Sequence, residues 1–361
     1  MPSAPIANRK RLVLAMNVSL TLDFRNDPAH RRPWKTFWED GLWLLCEAEA
    51  MGFHSVLVQE HFFQPDGYGP SIPIFLTQLA ERTTRVRLGS YLHVLPLHHP
   101  ARLAQETAVL DHVSGGRLDV CVGLGHSLAE YEAFGIDRRT RGARMEEALE
   151  VLKRAWTERP FDYAGQFYAL GGVEVRPEPL QQPHPPLWVG ATTVPAAERA
   201  GRHGTFLAAA SVEPEVHAAY RDAWANAGHD PAAARVSNCF SVTTTREDPE
   251  RVWQRNRERY FYRWDFYRRI REELGDPGLR VGSAAEASQP TAALPTPESY
   301  RDNELIGDPD WVFETLAPAL TALGVTELVV NGPASGLDWR GEGYESMKLF
   351  AEEVMPRLQA L

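Results

Sequence analysis

The 361-residue sequence predicts an α/β fold of the (β/α)8 TIM-barrel class. Short apolar or β-branched runs recur along the chain, and helical patterns lie between most of them. One region shows the repeating unit clearly. An apolar run over 86–95 is followed by a helical pattern that opens at Pro100, and then by a second apolar run that ends at Gly123 and Gly125. A doubly wound open sheet is the alternative, because periodicity alone does not reveal whether a sheet closes.

Eight strands and nine helices are expected over the whole chain. The predicted strands are 12–18, 55–58, 86–95, 118–122, 187–190, 206–210, 236–244 and 327–331. The predicted helices are 38–51, 71–82, 100–113, 138–157, 195–203, 214–227, 248–274, 309–323 and 344–359. We predict that residues 1–361 form a single domain, since neither an internal repeat nor a linker is visible.

A barrel of this class needs roughly 250 residues, and two stretches account for much of the additional length of this chain. Residues 158–186 are rich in proline and are predicted to be a loop or hairpin inserted after the fourth strand. Residues 275–307 are rich in Gly, Pro, Ala and Ser and are predicted to be a long, lid-like loop. Between them, the aromatic and charged stretch 251–273 predicts a helix with an aromatic face packed on the barrel or on a partner subunit.

The composition excludes several functional classes. A formal net charge of −10 disfavours nucleic acid and anionic membranes as partners. Three cysteines are too few and too scattered for a disulfide framework or a zinc site, which fits a reducing cytoplasm. No apolar run approaches the length of a membrane span, and the histidines lack the spacing of a metal-binding motif. We therefore expect a cytoplasmic protein with no metal site.

Candidate functional residues follow the predicted strands, where a barrel places its chemistry. His61 comes directly after the second strand, and its imidazole could exchange a proton near neutral pH or simply cap a loop. Gly89, Ser90 and Tyr91 interrupt the third strand, which indicates a bulge, the close approach of a flat ligand, or both.

The fourth and fifth strands end in similar polar or glycine-containing loops. Gly125 and His126 follow the fourth strand, and glycine there lets the backbone approach a ligand. Gly190, Thr192 and Thr193 lie where the fifth strand gives way to a helix. Their hydroxyl and N–H groups could bind a phosphate, or the threonines could only cap the helix.

In combination, these segments resemble the bacterial luciferase-like, flavin-dependent monooxygenase family. The matching segments are VQEHFF at 58–63, RLGSYLHVLPLHHPARLAQETAVLDHVSGGRLDVCVGLG at 87–125, EYEAFG at 130–135, HPPLWVGATT at 184–193 and GDPDWVFETLAPALTALGVTELVV at 307–330. They occur in the order typical of the family and span nearly the whole chain.

The resemblance implies that reduced FMN, supplied by a separate flavin reductase, reacts with O₂ to oxygenate a small organic substrate through a C4a-peroxyflavin. His61 would be the catalytic residue beside the flavin. A non-proline cis peptide would lie at Gly89–Ser90 or Ser90–Tyr91. The implied cofactor-binding residues are Asn17, Gly89, Ser90, Tyr91, Gly125, His126, Gly190, Thr192 and Thr193. A homodimer is expected by resemblance.

One position departs from the pattern, and two alternative functions stay open. Some members of the family carry Arg in the fourth-strand loop, where this chain has Leu124. The phosphate charge would then be met by backbone N–H groups, by threonine hydroxyls or by another cation. Part of the family uses a deazaflavin for hydride transfer without oxygen, which is the first alternative. The second is a non-catalytic flavin-binding protein.

Overall fold

The computed structural model describes residues 15–69, 71–274, 296–332 and 338–361. Eight parallel strands form a closed barrel, in which β1 (Asn17–Thr21) pairs with a strand on each side. The other seven follow around the barrel in this order: β2 (Ser55–Val58), β3 (Arg87–Ser90), β5 (Leu118–Gly123), β8 (Leu187–Ala191), β9 (Phe206–Ala209), β10 (Val236–Thr244) and β12 (Glu327–Asn331). The predicted (β/α)8 class is confirmed, and pairing of β12 with β1 excludes the open sheet.

Helices surround the barrel and bury its strands on their outer side. They are α1 (Trp34–Met51), α2 (Ile72–Arg82), α3 (Pro100–Val113), α4 (Leu128–Ala133), α5 (Arg141–Thr157), α6 (Val194–Arg202), α7 (Pro214–Asn226), α8 (Pro249–Leu274), α9 (Pro309–Leu323), α10 (Glu342–Leu349) and α11 (Met355–Gln359). A π-helical turn over Phe350–Val354 joins the last two. None of the helices in the described ranges is long and apolar enough to span a lipid bilayer.

Local signals set the ends of these helices. Pro100 opens α3, and Asp308 caps α9 by accepting a hydrogen bond from the Trp311 N–H (2.9 Å). Gly52 and Gly324 end α1 and α9 with positive φ values of 88° and 61°, which glycine adopts without strain. The predicted bounds of α3 and α9 are therefore confirmed. The sequence did not predict the short helix α4.

The predicted strands agree with the structure except at two places. The first was predicted at 12–18, but β1 covers Asn17–Thr21, and residues 12–14 lie outside the described ranges. The third, predicted as one run, is divided into β3 and β4 (His93–Val94). Gly89 aligns with Asp119 on β5, whereas His93 aligns with Val122, so β3–β4 carries one residue more than its partner. This extra residue is the bulge that the interrupted strand predicted.

The two predicted excess segments have different outcomes. Within 158–186, β6 (Phe161–Ala164) and β7 (Ala169–Val173) pair antiparallel, which is the hairpin form of the predicted insertion. Most of the predicted lid, 275–295, lies outside the described residues. The prediction is wrong for its end, because β11 (Leu305–Gly307) pairs with β10 and a 3₁₀ turn over Pro297–Asn303 precedes it. Backbone pairing with the sheet fixes this part of the segment.

Buried polar contacts hold the amino end of the barrel, where the strands begin. Glu327, the first residue of β12, accepts hydrogen bonds from Ser19 Oγ (2.8 Å) and Arg235 Nη2 (3.0 Å). Arg87, the first residue of β3, donates from Nε to Asp119 Oδ2 (2.6 Å). These contacts cross between strands that are far apart in sequence. This end of a barrel generally contributes stability, while the opposite end carries the chemistry.

Candidate active site at the carboxyl end of the barrel

His61 lies at the carboxyl end of the barrel, just beyond β2, and a carboxylate fixes its ring. Its Nδ1 lies 2.9 Å from Glu130 Oε1, and the His61 side chain is nearly buried. The ring stacks on Tyr68, with 4.5 Å between centroids. Because a neutral imidazole that donates from Nδ1 keeps a lone pair on Nε2, this contact selects the tautomer whose Nε2 can accept a proton.

Glu130 is itself held by donors from the residues that follow His61. Its Oε1 also accepts hydrogen bonds from the Phe62 N–H (3.2 Å) and from Gln64 Nε2 (3.2 Å). Glu130 lies in the first turn of α4, where Ser127 Oγ accepts from its backbone N–H (3.3 Å). Sequence analysis missed this residue, although it is the first letter of the EYEAFG segment that contributed to the resemblance.

His126 lies beside His61, with 5.4 Å between the ring centroids. Burial, together with electrostatic interactions with His61, Arg25, Arg138 and Arg141, lowers the pKa of His126 to about 3. Its ring is therefore neutral at pH 7. The Nε2 atom is buried and has no hydrogen-bond partner within the part of the chain that the structure describes. A buried polar atom of this kind indicates a place where a ligand supplies the partner.

Helix α8 crosses this end of the barrel and covers it with aromatic rings. Phe266 packs edge-on against His61 (5.5 Å between centroids), and the Tyr267 hydroxyl lies 3.1 Å from that of Tyr68. Arg263 anchors the helix through a buried ion pair with Asp23 (2.8 Å). The aromatic face predicted for this helix thus packs on the barrel itself.

The bulge of the third strand carries the non-proline cis peptide, but one residue beyond the predicted bonds. The cis bond is Tyr91–Leu92, so the assignment to Gly89–Ser90 or Ser90–Tyr91 was wrong. Ser90 Oγ donates to the Cys121 carbonyl (2.8 Å) and accepts from the Cys121 N–H (2.7 Å). These contacts commit the Ser90 hydroxyl to β5.

The glycines predicted to face a cofactor make room first for neighbouring side chains. A Cβ on Gly190 would lie 2.3 Å from Leu92 Cδ2, and one on Gly125 would lie 2.4 Å from Val94 Cγ1. Gly125 also has a φ of +66°. A Cβ on Gly89 would lie 2.8 Å from Leu57 Cδ2. Leu92, which follows the cis bond, therefore fits into the barrel end because the facing strand lacks a side chain there.

Thr192 and Thr193 lie between β8 and α6, at the amino end of that helix. Thr193 occupies the N-cap position, but its side chain makes no capping hydrogen bond. The simple capping interpretation therefore does not account for its hydroxyl.

Leu124 stands where some members of the family have an arginine, so another cation near this loop would have to meet the phosphate charge. Arg138 and Arg141 are cations close enough to His126 to lower its pKa. The loop after the fourth strand thus has positive charge beside it without an arginine at 124.

The structure does not bring Asn17 to this site. Asn17 is the first residue of β1 and aligns with Glu327, the first residue of β12, so it lies at the amino end of the barrel. The prediction placed Asn17 near the end of a strand over 12–18, whereas the strand begins there. This shift of the strand removes Asn17 from the residues that can share a ligand with His61.

A second carboxylate–histidine cluster lies next to the site. Glu60 Oε1 lies 2.8 Å from His98 Nε2 and accepts from the Val94 N–H (2.9 Å), while Oε2 lies 3.3 Å from His93 Nδ1. The three side chains offer ligand atoms within 4.8 Å of one another, a grouping that no sequence motif predicted. Although burial opposes it, hydrogen bonding to the two histidines holds the pKa of Glu60 well below its usual range. Through these contacts Glu60, just beyond β2, is linked to β4 and to the residues that follow it.

The fold and the location of His61 define an α/β-barrel protein with a candidate active site at the carboxyl ends of its strands, where enzymes of this fold carry their chemistry. Residues 16–327 match the Luciferase-like monooxygenase family, so the chain belongs to that family.

Its relatives include enzymes of two kinds. The oxygenase component of the flavin-dependent trigonelline monooxygenase of Acinetobacter baylyi is 29% identical over 78% of this chain and 80% of that protein. The F420-dependent glucose-6-phosphate dehydrogenase of Amycolatopsis mediterranei is 28% identical over 87% of this chain and 92% of its own length. Another relative, at 36% identity, aligns over 47% of this chain and 50% of its own length.

Among solved structures, the monooxygenase RslO1 from Streptomyces bottropensis superposes with a TM-score of 0.77. It is 26% identical, and the match covers 95% of this chain and 99% of that one. The relatives of this chain are therefore monooxygenases and other oxidoreductases, of which the first kind named here depends on a flavin and the second on the deazaflavin F420.

Proposed function

We propose that this protein is the oxygenase component of a two-component monooxygenase, which takes reduced FMN from a separate flavin reductase and uses O₂ to oxygenate a small organic substrate. The observation that carries the proposal is the His61–Glu130 pair (2.9 Å) at the carboxyl end of the barrel. The relative named for trigonelline oxygenation supports the reaction class.

The residues at this end suit a flavin. His126 Nε2 is a buried polar atom without a partner among the described residues, which suits the polar edge of an isoalloxazine. Thr192, Thr193 and the backbone N–H groups that begin α6 would hold the phosphate, with Arg138 and Arg141 as the cations near the fourth-strand loop. When bound, reduced FMN would supply the electrons that activate O₂.

The protein's own groups then have three tasks. His61 accepts or returns a proton at Nε2, while Glu130 holds the ring in one orientation through Nδ1. Neutral His126 adds no positive charge beside it. Phe266 and Tyr267 of α8 cover the site and keep water from the reacting atoms.

The test follows the reoxidation of FMN. The protein is mixed anaerobically with photoreduced FMN, oxygen is admitted in a stopped-flow cell, and absorbance is recorded from the near ultraviolet to the visible. We expect the oxidised spectrum to return in two steps, the second much slower than in free FMN. Reoxidation at the rate of free FMN would contradict the proposal.

Hydride transfer with the deazaflavin F420 is the second candidate, and the 28% identical dehydrogenase supports it. A ligand that binds only the native state raises its stability, by about 2.7 kcal/mol at a concentration of 100 Kd. Melting temperatures measured with FMN and with F420 therefore separate the candidates. A rise with F420 alone, together with oxygen-independent turnover, would replace our proposal.

A further inference from the structure

Arg25 is a fully buried cation whose guanidinium is only partly used. It follows β1 by four residues, and its Nε donates to Asp23 Oδ1 (2.9 Å). Nη1 and Nη2 are both buried, and neither has a hydrogen-bond partner in the described ranges of the chain. Unsatisfied donors on a buried charge are costly, so folded proteins rarely keep them without a purpose.

The other fully buried arginine at this end shows what complete pairing looks like. Arg263 donates from Nε to Asp23 (2.8 Å), from Nη1 to Glu304 (3.0 Å) and from Nη2 to the Gly332 carbonyl (3.2 Å). Asp23 thus gives one carboxylate oxygen to each arginine. The two side chains share a counter-ion, yet only Arg263 has partners on all three nitrogens.

Aromatic rings and Asp23 surround the guanidinium of Arg25. Its central carbon lies 3.8 Å from the centroid of the Tyr68 ring, 3.9 Å from that of Phe266 and 5.1 Å from that of Tyr267. Asp23 takes the Nε side. The Nη1–Nη2 edge therefore remains, and its two parallel N–H vectors match the two oxygens of a carboxylate.

This edge belongs to the same site as His61. The rings of Tyr68 and Phe266, which contact Arg25, lie 4.5 Å and 5.5 Å from the His61 ring. An anion bound by Arg25 would therefore lie among aromatic rings, one side chain away from the proposed proton carrier. Aromatic walls around a guanidinium favour a flat, apolar body attached to the anion.

We infer that the Nη1–Nη2 edge of Arg25 binds the carboxylate of a small aromatic acid, which is the substrate class this site accepts. Naming the acid as substrate rests on the proposed function, whereas the anion site itself does not.

The test uses benzoate and its neutral analogue benzamide. Binding is measured on the full chain by the shift in melting temperature and by isothermal titration, with and without FMN. We expect benzoate to bind wild-type protein at least about tenfold more tightly than benzamide, because only the carboxylate satisfies both Nη atoms. Arg25→Gln should lose that preference. Arg25→Lys, which keeps the charge without the fork, should lose most of it.

The matched control is Arg235→Lys at the opposite end of the barrel, which keeps a cation beside Glu327. Arg235 also pairs with a carboxylate (Glu327, 3.0 Å) and lies over the rings of Trp188 and Phe206. It should keep full benzoate affinity. Equal binding of benzoate and benzamide by wild-type protein would overturn the inference without the use of any variant.

Binding of FMN distinguishes the substrate from the cofactor as the partner of Arg25. If Arg25→Gln weakened FMN binding tenfold and left benzoate unaffected, the edge would belong to the cofactor and the inference would be wrong. If benzoate bound through Arg25 but FMN reoxidised at its free rate, the anion site would stand and the proposed function would fail.

Discussion

The two ends of the barrel both bury charged groups, but they differ in how those groups are paired. At the amino end, Glu327 accepts from Ser19 and Arg235, and Arg87 donates to Asp119 Oδ2, so every one of these donors has an acceptor, while one acceptor, Asp119 Oδ1, has no partner among the described residues. At the carboxyl end, two nitrogens of Arg25 and one of His126 have no partner among the described residues.

This difference separates buried polar groups that stabilise the fold from buried polar groups that are available to bind a ligand. A paired charge stabilises only if its partners come with the fold, and breaking such a pair costs far more than the pair contributes. A buried donor without a partner on a charged side chain lowers stability until a ligand pairs with it, so Arg25 is a candidate for binding. We therefore expect substitutions at the amino end to change folding, and those at the carboxyl end to change binding and turnover.

The largest effect is expected from Glu327→Ala. The change leaves Arg235 and Ser19 without their buried acceptor, so the free energy of unfolding should fall by about 3 kcal/mol. Urea denaturation measures the loss. Glu39→Ala is the control, because Glu39 is an exposed acid that lies 3.8 Å from Lys35 and should change stability by less than about 0.5 kcal/mol. Equal effects in the two variants would break the comparison.

His61→Ala should act on the reaction instead. Loss of a positioned proton carrier lowers rates by about 100-fold or more, and we expect that loss in product formation once a substrate is identified. The slow step of FMN reoxidation should also shorten. The free energy of unfolding should fall less than in Glu327→Ala, because Glu130 keeps the Phe62 N–H and Gln64 as hydrogen-bond donors. Unchanged product formation and unchanged reoxidation would show that the role given to His61 is wrong.

Glu130→Gln tests whether the ring must be held. Gln keeps the size and one acceptor oxygen but loses the charge that fixes His61 Nδ1. We expect a roughly tenfold fall in kcat, comparable with the loss of other orienting carboxylates, at an unchanged dissociation constant for FMN. A fall in FMN affinity at constant kcat would instead show that Glu130 supports the cofactor site only.

The sequence predicted the barrel because its evidence is local. Pro100 lies at the start of α3 and Gly324 at the end of α9, directly beside the helical patterns of these segments. Each strand likewise has an apolar run of its own. The first strand was misplaced because the apolar residues at 12–14 suggested an earlier start than Asn17.

The hydrogen-bonded pairs of the site could not be predicted from the sequence, because their members are far apart in the chain and meet only in the folded protein. His61 and Glu130 are 69 residues apart, and Arg263 reaches Asp23 over 240 residues. His61 was found only because it directly follows a strand. Arg25 belongs to no motif, and its importance lies in the missing partners of Nη1 and Nη2, which no sequence pattern displays.

The smallest expected effect is a pH dependence of stability, to which His126 and Glu327 contribute with opposite signs. Burial is the main cause that lowers the pKa of His126 to about 3, whereas the unfolded value is about 6.5. Between these values the unfolded chain binds a proton that the folded chain does not. His126 therefore makes stability fall as the pH drops below 6.5, by up to about 1.4 kcal/mol per pH unit.

Burial raises the pKa of Glu327, so this residue instead lowers stability as the pH rises above the unfolded value of about 4.3. From pH 6.5 to 5.5, burial also lowers the pKa values of His54, His184 and His217, so the share of His126 is the difference between wild-type protein and a variant that lacks this imidazole. Urea denaturation at these two pH values should show a smaller loss of stability on acidification in His126→Gln than in wild-type protein. Equal losses would mean that His126 is solvated in the folded protein, and its Nε2 would then no longer mark a ligand site.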